Sequence, residues 1–290
     1  MSEPKPSFHP SPSKPKLKLP RGACDVHFHV FGPQAKFPFA ANRSYTPADA
    51  PKEKLFALHK HLGIERGVMV QSAAHGFDNS AGADLIAARK DDYVGVALLP
   101  VDASMDTLKK HHAQGFRGVR FNYMKHLGEG APIDQVMLMA KKLADLGWHL
   151  QIHMDSSLIG AMAPALRASP VPVVIDHMGR VDASQGLGQK PFRELMDLLQ
   201  DERIWVKVSG CERSSRQPSP WRDAIPFARK LVEEFPDRTL WGTDWSHPNL
   251  KEIPDDGVMV GNLAEIALSE RQRQALLVDN PSRLYFEWTD

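Results

Sequence analysis

ACDVHFHVFG, residues 23–32, reads as a β-strand with two chemically unequal faces. Alternation at period two sends Asp25, His27 and His29 to one side and Cys24, Val26, Phe28 and Val30 to the other. Packing gives an otherwise apolar strand no reason to align two imidazoles, so the polar side points to a site.

Seven more short apolar segments follow, at residues 67–72, 93–99, 118–123, 149–154, 173–178, 205–210 and 240–245. Stretches with helical spacing lie between them, among them KEKLFALHKHLG, IDQVMLMAKKLADLG and DAIPFARKLVEEF, and Gly63, Gly115 and Gly147 stand where helix C-caps fall. Such alternation builds a parallel sheet with helical crossovers. An open doubly wound sheet would look similar, but the polar residues favour a single-domain α/β fold closed as a (β/α)8 TIM barrel. One face of each strand stays apolar, as a helix layer requires. The other turns polar towards its C-terminal end, giving His27, His29, Ser72, Arg120, Asn122, His153, His177, Ser209 and Asp244. Closure brings these to one rim, where barrel enzymes hold their sites.

With 290 residues, 42% of them hydrophobic, the chain can bury one large core. Its 36 basic and 35 acidic side chains leave a net charge of +1, which excludes a global field for nucleic acid or an anionic membrane. Any affinity for anions is therefore local. No apolar run approaches a membrane span. Cys24 and Cys211 are too few for a disulfide scaffold; a single bridge stays open, and a reducing cytoplasm is the simpler expectation. Residues 1–20 are rich in Pro, Ser and Lys without the apolar centre of a signal peptide. They are expected to form a late-ordering or mobile tail of polyproline II character ahead of a barrel over 21–290. The oligomeric state is left open.

A lone strand histidine is ordinarily structural. His27, His29, His153, His177 and Asp244 arriving together from four strands are better explained as a centre that polarises water or a carbonyl. Nitrogen donors with one carboxylate suit Zn²⁺ or another borderline cation. Cys24 is expected on the helix-facing side, and His59, His61, His111 and His112, in helices with basic neighbours, are expected to be exposed.

His27-Phe28-His29, His153, His177 and Asp244 within WGTDWSHPN resemble the amidohydrolase superfamily. HVFGP, FPFA, FALHKHLG, GVRFN, VVIDHMGR, WGTDWSHPN, IPDDG and NPSRLY, in that order between residues 20 and 287, are similar to its 2-pyrone-4,6-dicarboxylate lactonase-like branch. The resemblance implies a hydrolase that opens a carboxylated lactone in aromatic-compound catabolism, with Asp244 taking a proton from the attacking water and His177 at the carbonyl oxygen. It implies that Arg120, Arg180 and Arg213 grip the substrate's acid groups; strand parity also aims Arg120 inward. Tyr45, Ser72 and His126 complete the expected substrate-binding set.

Two departures stand out. His153 occupies a position where the metal-independent lactonase has tyrosine, restoring the ligand pattern of mononuclear metal amidohydrolases. A divalent cation, Zn²⁺, is therefore expected on His27, His29, His153 and Asp244, the alternative being no cofactor. His126 stands where the lactonase has a further arginine, so 2-pyrone-4,6-dicarboxylate, sulfomuconolactone and related muconolactones are all candidate substrates. A metal-dependent decarboxylase and a non-catalytic barrel binding an aromatic acid are the other readings. The expected partner is a small anionic lactone, not nucleic acid or membrane.

Overall fold

The computed structural model describes residues 8–250 and 252–287. The first seven residues of the expected tail and the last three of the expected domain lie outside that range. Eight strands, β1 (Cys24–Phe28), β2 (Arg66–Val70), β3 (Tyr93–Ala97), β4 (Phe116–Tyr123), β5 (His149–Met154), β6 (Val173–Ile175), β7 (Ile204–Lys207) and β8 (Thr239–Leu240), pair in chain order. All seven pairings are parallel. The ring closes beyond β8, where Val26 N–H donates to Trp241 O at 3.0 Å and Asp244 N–H to His27 O at 2.7 Å. The fold is a (β/α)8 barrel.

Helices cover the outside because their apolar residues recur at helical spacing. In the helix Ile133–Ala144 the buried positions are Val136, Met139, Ala140 and Leu143, a stripe one face wide. The helix Lys52–Leu62 stops at Gly63, whose φ of 82° a side-chain-bearing residue adopts only at a cost. Among the described residues, no helix is long and apolar enough to cross a membrane. Both cysteines are free and buried. From the N-terminal segment, the Phe8 ring lies 5.2 Å from that of Trp245, and Ser13 N–H donates to Asp255 Oδ1 at 2.9 Å.

Strand β1 carries an irregularity that resets its faces. Asp25 pairs with Gly67 and Phe28 with Met69, so three steps on β1 oppose two on β2. Cys24 and Val26 consequently point into the barrel with Val68, Val70, Val94, Val96, Val174, Trp205 and Leu240, where Leu284 and Tyr285 join the same cluster. Cys24 is thus core, but on the barrel side and not under the helices. Beyond the extra residue, His27 and His29 also turn inward, while Asp25 faces the helix layer. There its carboxylate accepts from His27 N–H, from Thr243 N–H and hydroxyl, and from His59 Nε2. His59 is accordingly buried, against the expectation of exposure, with its Nδ1 2.8 Å from Tyr93 OH.

Lower in the barrel sits His149, buried, with Nδ1 2.8 Å from Arg117 O. Burial, reinforced by the Lys207 charge, pushes its imidazole down to about 3. Between that value and the unfolded pKa near 6.5 the unfolded chain binds the extra proton, so stability rises with pH there and is lost on acidification. Lowering the pH from 7 to 5 should remove about 2 kcal/mol through this one residue. Urea unfolding of His149→Gln should accordingly show a shallower loss over that interval than the parent.

Candidate active site

The strands end earlier than the apolar runs suggest, and the site is built where they end. β6 stops at Ile175 and β8 at Leu240, so His177 and Asp244 sit on turns with φ of 49° and 59°. Non-glycine residues in this region are uncommon and cluster at functional sites. Asp244 lies at the centre. Its Oδ1 is 3.3 Å from His29 Nε2 and 3.6 Å from His27 Nε2, its Oδ2 is 3.9 Å from His177 Nε2, and Arg213 Nε donates to Oδ2.

A single rule orients the imidazoles: each commits Nδ1 to the scaffold and turns Nε2 to the centre. His29 Nδ1 donates to Val70 O at 2.7 Å, and His177 Nδ1 meets Ser209 Oγ at 3.1 Å. His153 Nδ1 donates to Asn122 Oδ1 at 3.2 Å, and His27 Nδ1 lies 3.3 Å from Asp176 Oδ1 and 3.2 Å from Lys207 Nζ. Burial depresses three of these rings, His27 to about 3 and His153 and His177 well below the usual range, so they are neutral at pH 7. Burial pushes the Asp244 carboxyl upward, but Arg213 and the imidazoles outweigh it and hold it well below the usual carboxylate range.

Above this cluster opens a cavity of about 420 Å³. Its wall brings together Tyr45, Ser72, Arg120, His126, Arg180 and Arg213 with His29, His153, His177 and Asp244. His27 lies beneath them, fully buried. Tyr45 OH meets Ser72 Oγ at 2.5 Å. Arg120 Nε is held by Asp176 at 2.9 Å. Arg180 makes no ion pair among the described residues, and burial beside Arg213 lowers it only to about 10, so its charge persists at neutral pH. His126 is pushed down by burial and by Arg180 and Arg213.

Donor atoms of His27, His177 and Asp244 lie within 4.8 Å of one another, and the buried Nε2 atoms of His27 and His153 have no hydrogen-bond partner among the described residues. Neutral imidazoles with an ionised carboxylate are the donor chemistry of a divalent cation, and the residues fit one. The tightest grouping contains His177, whereas the expected ligand set had His29 and His153.

Asp176, Lys207 and Gln151 form a polar floor that the sequence reading passed over. The signal was available for two of them, since Lys207 shares the parity of Ser209 and Gln151 that of His153; Asp176 has the opposite parity to His177, which alternation had turned inward.

A closed barrel with an ionised carboxylate set among the imidazoles of His27, His29 and His177, with His153 in the same cavity wall, defines a hydrolase of the carboxylate–histidine type. The chain belongs to the amidohydrolase family, whose model matches residues 24–286. It is 44% identical over 289 residues to the 2-pyrone-4,6-dicarboxylate hydrolase of Comamonas testosteroni, covering 96% of this chain and 95% of that one. It is 38% identical over 287 residues to the 4-sulfomuconolactone hydrolase of Hydrogenophaga intermedia, covering 97% and 93%. A solved structure from Pseudomonas putida, described as a putative 2-pyrone-4,6-dicarboxylic acid hydrolase, superposes with a TM-score of 0.80 at 33% identity, covering 94% of this chain and all of that one.

Proposed function

We propose that this enzyme opens the ring of a small anionic lactone of the pyrone-dicarboxylate or sulfomuconolactone type by attack of water on the lactone carbonyl. The observation that carries this reading is the ionised Asp244 set among imidazole Nε2 atoms directly beneath a cavity walled by three arginines. Asp244 takes one proton from the attacking water as the oxygen–carbon bond forms. His177, 3.9 Å from that carboxylate, faces the oxygen on which negative charge develops. The ring C–O bond then breaks, and protonated Asp244 returns its proton to the departing oxygen. The new carboxylic acid loses the second water proton to solvent, so each turnover releases one proton at neutral pH.

Arg120, Arg180 and Arg213 fix the acid groups, since a planar guanidinium fork matches a carboxylate or sulfonate. Among the described residues, Arg180 is the one of the three that makes no ion pair. Charged hydrogen bonds contribute about 1.5–3 kcal/mol, so Arg180→Met should raise KM roughly 10- to 100-fold, with a smaller effect on kcat. Steady-state kinetics on the preferred lactone would measure this.

A divalent cation, Zn²⁺ by its fit to nitrogen and carboxylate donors, would be held by His27, His177 and Asp244 with His29 and His153 beside them, and would supply Lewis-acid polarisation. Elemental analysis, with turnover in chelator, tests for it. The free cysteines suit a reducing compartment, and we place the enzyme in the cytoplasm.

Incubation with 2-pyrone-4,6-dicarboxylate and with 4-sulfomuconolactone, followed by ultraviolet absorbance, proton release and CO₂, tests the reaction. Proton release without CO₂ is expected. CO₂ evolution would make the enzyme a decarboxylase, and tight binding without turnover would make the barrel a binding protein.

A further inference from the structure

We propose that Asp176 is a positioning residue that couples the grip on the substrate's acid group to the imidazole at the reacting centre. The inference rests on the lactone-hydrolase reading for its kinetic half only.

Asp176 is fully buried; its Oδ2 is hydrogen-bonded, whereas its Oδ1 has no hydrogen bond among the described residues and faces two nitrogens. Oδ2 accepts from Arg120 Nε at 2.9 Å and from Gln151 Nε2 at 3.1 Å. Oδ1 lies 3.3 Å from His27 Nδ1 and 3.4 Å from Lys207 Nζ. Lys207 directs two of its three protons to Val26 O and Gln151 Oε1, each at 3.0 Å. Its third proton faces both Asp176 Oδ1 and His27 Nδ1, the latter at 3.2 Å. Two carboxylates flank the ring, and Asp176 Oδ1, at 3.3 Å, is nearer than Asp244 Oδ1, at 3.6 Å; it is also a buried oxygen without a hydrogen bond among the described residues, so we assign it both the third lysine proton and the hydrogen of His27 on Nδ1. That assignment leaves a bare Nε2 turned towards Asp244, 3.6 Å away.

Arg120 spends only Nε on Asp176; its terminal nitrogens have no partner among the described residues, and the residue lines the cavity. An acid group taken by that outer end pulls on the guanidinium whose inner edge holds Asp176. With no solvent beside the carboxylate to absorb the shift, the pull reaches His27. Anion binding and the geometry of the centre therefore share one carboxylate.

Two measurements test this. In the parent protein, ¹⁵N spectra of histidine-labelled enzyme, with His27 assigned by loss of its signals in His27→Asn, should show Nδ1 protonated and Nε2 bare. Finding the proton on Nε2, with Lys207 donating to Nδ1, would overturn the assignment. This readout needs no turnover, so it stands apart from any failure to hydrolyse lactones. The second measurement uses Asp176→Asn combined with Lys207→Met, which removes one charge of each sign and so guards the fold. Arg120→Met should lower kcat about tenfold in the parent yet change it less than twofold in that background, the signature of two groups acting as a unit. Equal fold-losses in both backgrounds would mean that Arg120 acts independently of Asp176, and the coupling would be refuted.

Discussion

Asp244→Asn should lose kcat by on the order of 10²-fold or more while KM for the lactone changes little, because the amide cannot take the proton that the carboxylate takes. The parent carboxylate is suited to this task over a wide pH range. Arg213 and the imidazoles outweigh burial and keep it ionised well below neutrality. The substitution keeps the side-chain shape, so the amide oxygen can still accept from Arg213 Nε. Initial rates by ultraviolet absorbance, with circular dichroism to establish that the variant is folded, give the answer. Near-parental turnover would remove Asp244 from the proton transfer and leave the imidazoles as the only bases within reach.

The largest effect on stability should come from Lys207→Met. Lys207 is wholly buried, and its ammonium offsets the Asp176 carboxylate from inside the barrel. Burial lowers it to about 8, so it remains mostly charged at pH 7. Removing one member of a buried pair typically costs about 3–5 kcal/mol, because the remaining charge keeps its desolvation penalty. Here Val26 O and Gln151 Oε1 also lose their donor. Thermal unfolding should shift down by on the order of 10 °C. Adding Asp176→Asn should recover part of that loss, since the buried carboxylate, left with Arg120 but without the ammonium beside its Oδ1, is neutralised. If Lys207→Met melts with the parent, the floor of the site is not held by this pair.

The two effects concern different layers of one barrel. Around Asp244 the charges are arranged for chemistry, and ordered imidazoles and arginines face an open cavity. In the layer below, the Asp176 carboxylate is set among Arg120, Lys207 and Gln151 away from solvent, which is how buried charge is tolerated, while the outer end of Arg120 reaches the cavity. A substitution in the upper layer should therefore be read in kcat and KM, and one in the lower layer first in unfolding.

The sequence by itself determined the architecture and picked out many of the residues that line the cavity. Eight apolar runs separated by helical patterns can bury their faces only as a parallel sheet under helices, and polar residues collected at the strand ends can meet only at one rim. Arg120 and His153 were legible because their strands are regular there, so period-two alternation gives the true direction of the side chain. The tertiary structure alone decided the facing of Asp25 and the route by which His27 and His177 reach the face that alternation assigned them. The extra residue in β1 moved Asp25 behind the site and His27 into it, a change of register that a neighbouring strand imposes and no single strand encodes. His177 would face outward by the parity of Val174 and Asp176; the backbone leaves the ladder after Ile175 and turns it in. Arg213 reaches Asp244 from a turn beyond β7, across 31 residues of chain, and such a pairing depends on how the ring closes. Local spacing fixes which face a residue occupies only while the ladder is regular, and the chemistry of this protein lies where the ladder stops.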